Sequence, residues 1–252
     1  MLQQERYDYI MNQLRTHSSV RVHDLSKQLK VSQSTIRRDI NDLDQAGKLN
    51  KVFGGAVLPT VTYGSISTGE PDVSFKESQH MAEKINIAKY AASLINDNDF
   101  VFLDAGTTTG AMIPYITNKN ATYVTNGIIH GLQLSARQLN AYVLAGQPKA
   151  LTEVIVGTLA VKNLNQYDFT KAFIGANGID LQRGFTTPDL EEAMVKTEAI
   201  NHSYVSYILA DSSKFDTSDA ISFAALEDCC ILTDKAPGEK YTGRTLIKEI
   251  EQ

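Results

Sequence analysis

The chain has 252 residues, 42% of them hydrophobic, and carries 24 Lys and Arg against 29 Asp and Glu for a net charge of −5. That length and apolar content suffice for one small and one medium domain, each with its own core. No apolar run approaches the roughly 18 residues that cross a bilayer, and the polar start Met1-Leu2-Gln3-Gln4-Glu5-Arg6 does not read as a signal peptide, so a cytoplasmic protein with no membrane partner is expected.

In chain order, Tyr7, Ile10, Met11 and Leu14 share one helical face, and Leu25 and Leu29 form the stripe of a second, shorter helix with Asp24 near its positive start. Val31 and Ser32 make a turn, Ser32 is placed to cap a third helix, and Ile36, Ile40 and Leu43 give that helix an inward stripe. Gly47 can end it in a left-handed conformation, and residues 48–57 then read as a hairpin or wing. A winged helix-turn-helix over residues 1–58 follows. Off the inward stripe lie Gln33, Ser34, Arg37, Arg38 and Asn41; with Ser32, Thr35 and the wing lysines Lys48 and Lys51 they are the candidate contacts to double-stranded DNA. A competing reading gives Arg37 and Arg38 a salt bridge to Asp39, Asp42 or Asp44 on a solvated face. Charge is divided to match: residues 1–58 carry +3 and the remainder −8, so the basic end is the one suited to phosphate contact.

Residues 59–74, rich in Thr, Ser, Gly and Pro, read as a linker. Over residues 75–252, short apolar strands at 100–103, 122–124, 141–144, 172–174, 207–209 and 230–232 alternate with helices expected around 82–95, 109–117, 127–138, 152–164 and 188–201. The pattern is that of a doubly wound, mostly parallel sheet, in which ligands bind beyond the carboxyl ends of the strands. The loops at those ends are polar. Asp104-Ala105-Gly106-Thr107-Thr108-Thr109-Gly110 sets three hydroxyls and a helix start around one point, where a phosphate fits. Thr125-Asn126, Gly175-Ala176-Asn177-Gly178 and Asp211 with Lys214 follow later strands and offer partners to sugar hydroxyls and a phosphate. Thr187 and Pro188 start a helix on which Lys196 lies four residues after Glu192, leaving it either facing a pocket or paired with that glutamate. The loops lack both Gly-Lys-Ser/Thr and G-x-G-x-x-G, so neither ATP nor NAD is indicated. Cys229 and Cys230 are adjacent in an apolar run and suggest neither disulfides nor zinc, and the five histidines are read as incidental; no cofactor and no metal are expected.

Val31-Ser32-Gln33-Ser34-Thr35-Ile36-Arg37-Arg38-Asp39 and Gly54-Gly55-Ala56 resemble the recognition helix and wing of the DeoR family of bacterial sugar-responsive repressors. So do D-A-G-T-T-T at 104–109, V-T-N-G at 124–127, F-I-G-A-N-G-I-D at 173–180, G-F-T-T-P-D at 184–189, E-A-M-V-K at 192–196 and A-D-S-S-K-F at 210–215, in family order. Phe53 stands where many members have a histidine, and Phe75-Lys76-Glu77-Ser78 replaces an F-x-x-R, with Lys76 or Lys84 as distant substitutes for its arginine. The resemblance implies a sensor domain of the sugar-phosphate isomerase type. It also implies a homo-oligomeric repressor, dimer or tetramer, released from its operator by a phosphorylated sugar. Similarity to the fructose-operon branch implies fructose 1-phosphate, and the lactose and tagatose branch offers tagatose 6-phosphate second. Two other readings stand beside this one. One is an effector-dependent activator. The other is an isomerase with a DNA-binding appendage, using Asp104 or Asp211 as base; against it, the loop 175–178 has no acid until Asp180, so no catalytic residue is assigned.

Overall fold

A computed structural model of the chain describes residues 3–17, 19–46, 48–57 and 80–250, and the chain divides into two units, Met1–Ser65 and Ile66–Gln252. The linker expected at 59–74, the helix end at Gly47 and Lys76 lie outside the described residues.

In the first unit, α1 (Gln3–His17), α2 (Val22–Leu29) and α3 (Gln33–Gln45) surround a core of Ile10, Leu14, Leu25, Ile36, Ile40 and Leu43, the residues whose helical spacing predicted it. Ser32 caps α3 by accepting from the Thr35 amide at 3.2 Å. Three short antiparallel strands complete the unit: β1 (Ser19–Arg21), β2 (Asn50–Val52) and β3 (Gly55–Val57), in the order β1-β3-β2. The β2–β3 hairpin is the wing. Gly54 turns it at φ +82°, and a Cβ on Gly55 would lie 2.0 Å from the Val20 carbonyl oxygen, so close pairing of β3 with β1 requires glycine there.

The second unit is built on seven strands that alternate their side chains between two cores. They are β4 (Phe100–Leu103), β5 (Thr122–Thr125), β6 (Asn140–Val143), β9 (Phe169–Gly175), β12 (Ser203–Leu209), β14 (Cys230–Thr233) and β15 (Ile247–Glu249). Val101, Leu103, Tyr123, Phe173 and Leu209 pack on one face with α4 (Met81–Ser93) and α6 (Ile128–Ala136). Phe102, Val124, Ile174 and Ile208 pack on the other with α7 (Thr158–Leu164) and α8 (Leu190–Asn201). Every neighbouring pair is parallel, in the order β15-β14-β12-β9-β4-β5-β6. The winding therefore reverses between β4 and β9, the topological switch point at which open α/β sheets form a crevice.

Several expected elements differ. The helix expected at 109–117 is one turn, α5 (Thr107–Gly110), followed by a 3-10 turn at Ile113–Tyr115, because Pro114 interrupts it. The stretch 152–164 is a strand, β8 (Val154–Val156), before α7; β8 pairs with β7 (Gln147–Lys149) in a hairpin. A small antiparallel sheet of β10 (Gly178–Asp180), β11 (Gly184–Thr187) and β13 (Ile221–Ala224) was not anticipated. The cap of α8 is Asp189, which accepts from the Glu191 and Glu192 amides at 3.0 Å, whereas Thr187 is a buried residue of β11.

Candidate functional site

On α3, one helical turn separates two opposite fates. Arg37 and Arg38 are exposed, and among the described residues neither makes an ion pair; Arg37 donates to its neighbour Gln33 at 3.3 Å. The acids that competed for them are engaged elsewhere. Asp39, 1% exposed, accepts from Arg6 of α1, Asp42 accepts from the Tyr7 hydroxyl at 2.8 Å, and Asp44 accepts from the Lys51 amide at 2.8 Å. The salt-bridge reading of Arg37 and Arg38 is thereby corrected. The Ser32 hydroxyl lies 2.7 Å from that of Ser34 and 2.8 Å from that of Thr35. Gln33, Ser34, Lys48 and Lys51 are exposed, Thr35 and Asn41 half-buried, and Phe53 stands fully exposed at the tip of the wing. The result is a cationic, hydroxyl-bearing helix face whose arginines make no ion pair among the described residues, the chemistry that phosphates and base edges require.

At the carboxyl edge of the larger sheet, Asp104 directly follows β4, beside Gly175 at the end of β9. Its Oδ2 accepts from the Gly175 amide at 3.0 Å and from Lys196 Nζ at 2.5 Å, and Lys196 also donates to the Gly175 carbonyl at 3.1 Å. Lys196 is thus paired with Asp104, and Glu192 instead accepts from the Thr152 hydroxyl at 2.8 Å. Asn126 is buried and accepts from the Ala105 amide at 3.0 Å; Thr125 accepts from the Gly127 amide at 3.0 Å. Of the three loop hydroxyls, that of Thr109 turns back on the Asp104 and Gly106 carbonyls at 2.5 and 2.7 Å, and Thr108 is buried. The Thr109 hydroxyl is therefore engaged with the backbone of its own loop, and a single-turn α5 contributes little dipole. Asp104, Gly106, Thr109, Gly175 and Lys196 thus form one bonded cluster at the switch point, with Asn126 holding the adjacent Ala105 amide. Gly178 begins the small sheet and Asn177 precedes it, the Thr187 hydroxyl lying 3.4 Å from the Asn177 side chain. Asp211 caps its own 3-10 turn, accepting from the Ser213 amide, and Lys214 stands half-buried in that turn without an ion pair among the described residues.

Beside the cluster, between α4, α5 and α6, lies a cavity of about 220 Å³ whose wall includes Lys84, Thr107, His130, Gln133, Thr152 and Glu153. Of the residues expected to bind an effector, Thr107 alone lines it. Lys84, only 6% exposed, and His130 belong to it although sequence reasoning set the histidine aside. His130 Nε2 donates to the Gly106 carbonyl at 3.1 Å, and its ring fills the space over Gly110 and Gly127, where an added Cβ would come within 2.9 Å of the ring at each. Gly127, three residues before His130, is the one local hint in the sequence; the contact with Gly110 is long-range.

Among the described residues no group of three or more His, Cys, Asp and Glu is arranged to hold a metal ion, and no helix is long and apolar enough to cross a membrane. Cys229 and Cys230 carry free thiols, and burial pushes that of Cys229 up to about 12.

Residues 6–62 match the DeoR-like helix-turn-helix domain family and residues 79–235 the DeoR C terminal sensor domain family. The chain is 37% identical to the Uncharacterized HTH-type transcriptional regulator FruR of Bacillus subtilis, with both chains covered in full. It is 33% identical to the HTH-type transcriptional regulator IolR of the same organism, over 95% of this chain and 92% of the relative. It is 34% identical to the Lactose phosphotransferase system repressor of Staphylococcus epidermidis, over 94% of each. Among solved structures, ribose 5-phosphate isomerase A from Methanocaldococcus jannaschii shares 16% identity over 52% of this chain and 53% of its own, with a TM-score of 0.39. With a domain family matched in each unit and relatives above 30% identity along nearly its whole length, the chain belongs to the DeoR family of sugar-responsive, DNA-binding transcriptional regulators.

Proposed function

We propose that the chain represses a sugar-utilisation operon by binding its operator through α3 and the wing, and that a phosphorylated sugar held at the carboxyl edge of the larger sheet releases it. Residues 1–58 then serve as the DNA-binding domain and 75–252 as the sensor. The observation that carries the DNA half is the contrast within one turn of α3, where Arg37 and Arg38 face solvent while Asp39 is drawn inward by Arg6. Ser32, Gln33, Ser34, Thr35, Asn41, Lys48 and Lys51 complete the contact surface. Two copies present two recognition helices to two half-sites.

Among effectors, fructose 1-phosphate is favoured by the resemblance to the fructose-operon branch, a reading supported by the full-length relative named FruR. Tagatose 6-phosphate stands second, in keeping with the relatives named lactose phosphotransferase system repressor. Binding without turnover is the better reading of the sensor. An isomerase needs a free carboxylate base at the sugar carbon, whereas Asp104 is ion-paired to Lys196 and Asp211 caps its own turn.

Footprinting of purified protein on the operator tests this. Arg37→Ala or Arg38→Ala should each cost about 1–3 kcal/mol of specific affinity if it reads a base, or flatten the salt dependence by about one unit if it holds a phosphate. An unchanged footprint in both variants refutes the DNA face. The favoured sugar phosphate should weaken operator binding; a hundredfold release corresponds to about 2.7 kcal/mol of coupling, within the usual range.

A further inference from the structure

Lys196 and Lys214 are among the residues expected to bind the effector, yet neither lines the cavity. Lys196, 6% exposed at its side chain, directs two donors to Asp104 and Gly175, and Lys214 lies in the turn after β12. The cavity instead has Lys84 of α4 and Thr107 of α5 in its wall, with Glu153, Gln133 and His130 completing a polar lining and Met81 and Ile129 among its apolar residues.

Three features narrow the ligand. First, about 220 Å³ falls below the roughly 300–1,000 Å³ of sites for drug-sized ligands, a size that suits a small ligand such as a monosaccharide phosphate. Second, one cationic residue, Lys84, and one anionic residue, Glu153, border the cavity, a lining suited to a ligand that carries both an anionic group and hydroxyl donors. Third, Glu153 holds φ +55°, a left-handed conformation that is costly for a residue with a side chain, while its carbonyl accepts from the Ile128 amide at 3.1 Å. The backbone is thus fixed where Glu153 borders the cavity.

We infer that this cavity is the effector site, that Lys84 and Thr107 receive the phosphate of a monosaccharide phosphate while Glu153 and Gln133 take its hydroxyls, and that Lys196 is a positioning residue for the β4–β9 junction. The inference rests on the effector half of the proposed function and assigns its residues.

The test uses the full chain, with thermal melting and operator gel shifts in the presence of inorganic phosphate, fructose, fructose 1-phosphate or tagatose 6-phosphate. One of the two sugar phosphates should raise the melting temperature of the wild type, since it binds the folded state alone. Lys84→Met and the near-isosteric Thr107→Val should each weaken that response at least tenfold. Ala111→Leu, which fills the cavity, should abolish it, and all three variants should still shift the operator without sugar. If Lys84→Met does not fold, the other two decide. Wild-type affinity for the sugar phosphate in a folded Thr107→Val or Ala111→Leu protein overturns this inference and leaves the regulatory reading standing. An equal response to inorganic phosphate alone overturns the sugar part of the site. A wild type that responds to neither sugar phosphate overturns the effector reading itself.

Discussion

Arg6 and Asp39 form a two-pronged ion pair between α1 and α3, Nε to Oδ2 at 2.6 Å and Nη2 to Oδ1 at 2.9 Å. Asp39 follows directly on Arg38, and the pair fixes how α3 is rotated against α1. With side chains 13% and 1% exposed, the pair ties α3 to α1, and Asp39→Ala, which removes both charge-assisted hydrogen bonds, should destabilise the first unit by about 1–3 kcal/mol. Arg38→Ala removes an exposed cation and should change stability by less than about 0.5 kcal/mol. Hydrogen exchange across residues 33–45 separates the two, because only the Asp39 variant should lose protection there. Equal protection in both variants would mean that the ion pair does not hold the helix.

The His130 ring against Gly110 and Gly127 gives a prediction of opposite logic. Gly110→Ala places a methyl group 2.9 Å from Nε2, and Gly127→Ala does the same beside Nδ1. Each should cost about 1–3 kcal/mol through overpacking. His130→Ala should relieve part of that cost, so the double variant Gly110→Ala/His130→Ala should melt above the sum of its single variants, with a coupling of about 0.5–3 kcal/mol. Additive effects would show that the ring does not dictate glycine at these positions.

Acid sensitivity should centre on two carboxylates. Burial alone would raise Asp99, but the Lys171 ammonium, the Asn96 amide and the Thr170 hydroxyl outweigh it and hold the group below its ordinary value. Asp189 is likewise lowered against burial by Lys149 and the first amides of α8. A carboxylate depressed in the folded state stabilises fully above its unfolded value of about 3.9, and that stability is lost as pH falls through the folded value. Stability should therefore decline below about pH 4. Asp99→Asn should be less stable than wild type at pH 7, and the gap between the two should narrow in denaturant melts as pH falls below about 4. A constant gap across that range would remove Asp99 from the acid response.

The sequence was most legible where periodicity decides structure. Ile36, Ile40 and Leu43 had one consistent inward reading, and the six apolar strands announced the parallel sheet. It was least legible where long-range contacts override local pattern. Val154–Val156 looked like the start of a helix because the pairing that makes it a strand, with Gln147–Lys149, leaves no period in so short a run. Thr187 had the right chemistry for a cap, but β11 pairs with β13 and claims it, and Asp189 two residues on takes the role. The same limit applied to charge. Spacing linked Lys196 to Glu192 four residues earlier, while its carboxylate partner, Asp104, is 92 residues away in sequence.

That partner gives the remaining prediction. Asp104 and Lys196 are both nearly inaccessible, and the Gly175 amide and carbonyl complete the cluster between them. Lys196→Met leaves a buried carboxylate with the Gly175 amide as its partner, and Asp104→Asn leaves a buried ammonium facing an amide; each should cost about 3–5 kcal/mol. The double variant removes both charges at once, and because a desolvated pair gains little over neutral groups of similar shape, it should be markedly more stable than the two losses summed. Thermal melting of the four proteins measures this directly. Since the cluster joins β4 to β9 at the point where the sheet reverses, a double variant that regains stability should also regain its response to sugar phosphate if the pair acts by positioning. Restored stability without that response would instead give one of the two charges a direct contact with the ligand.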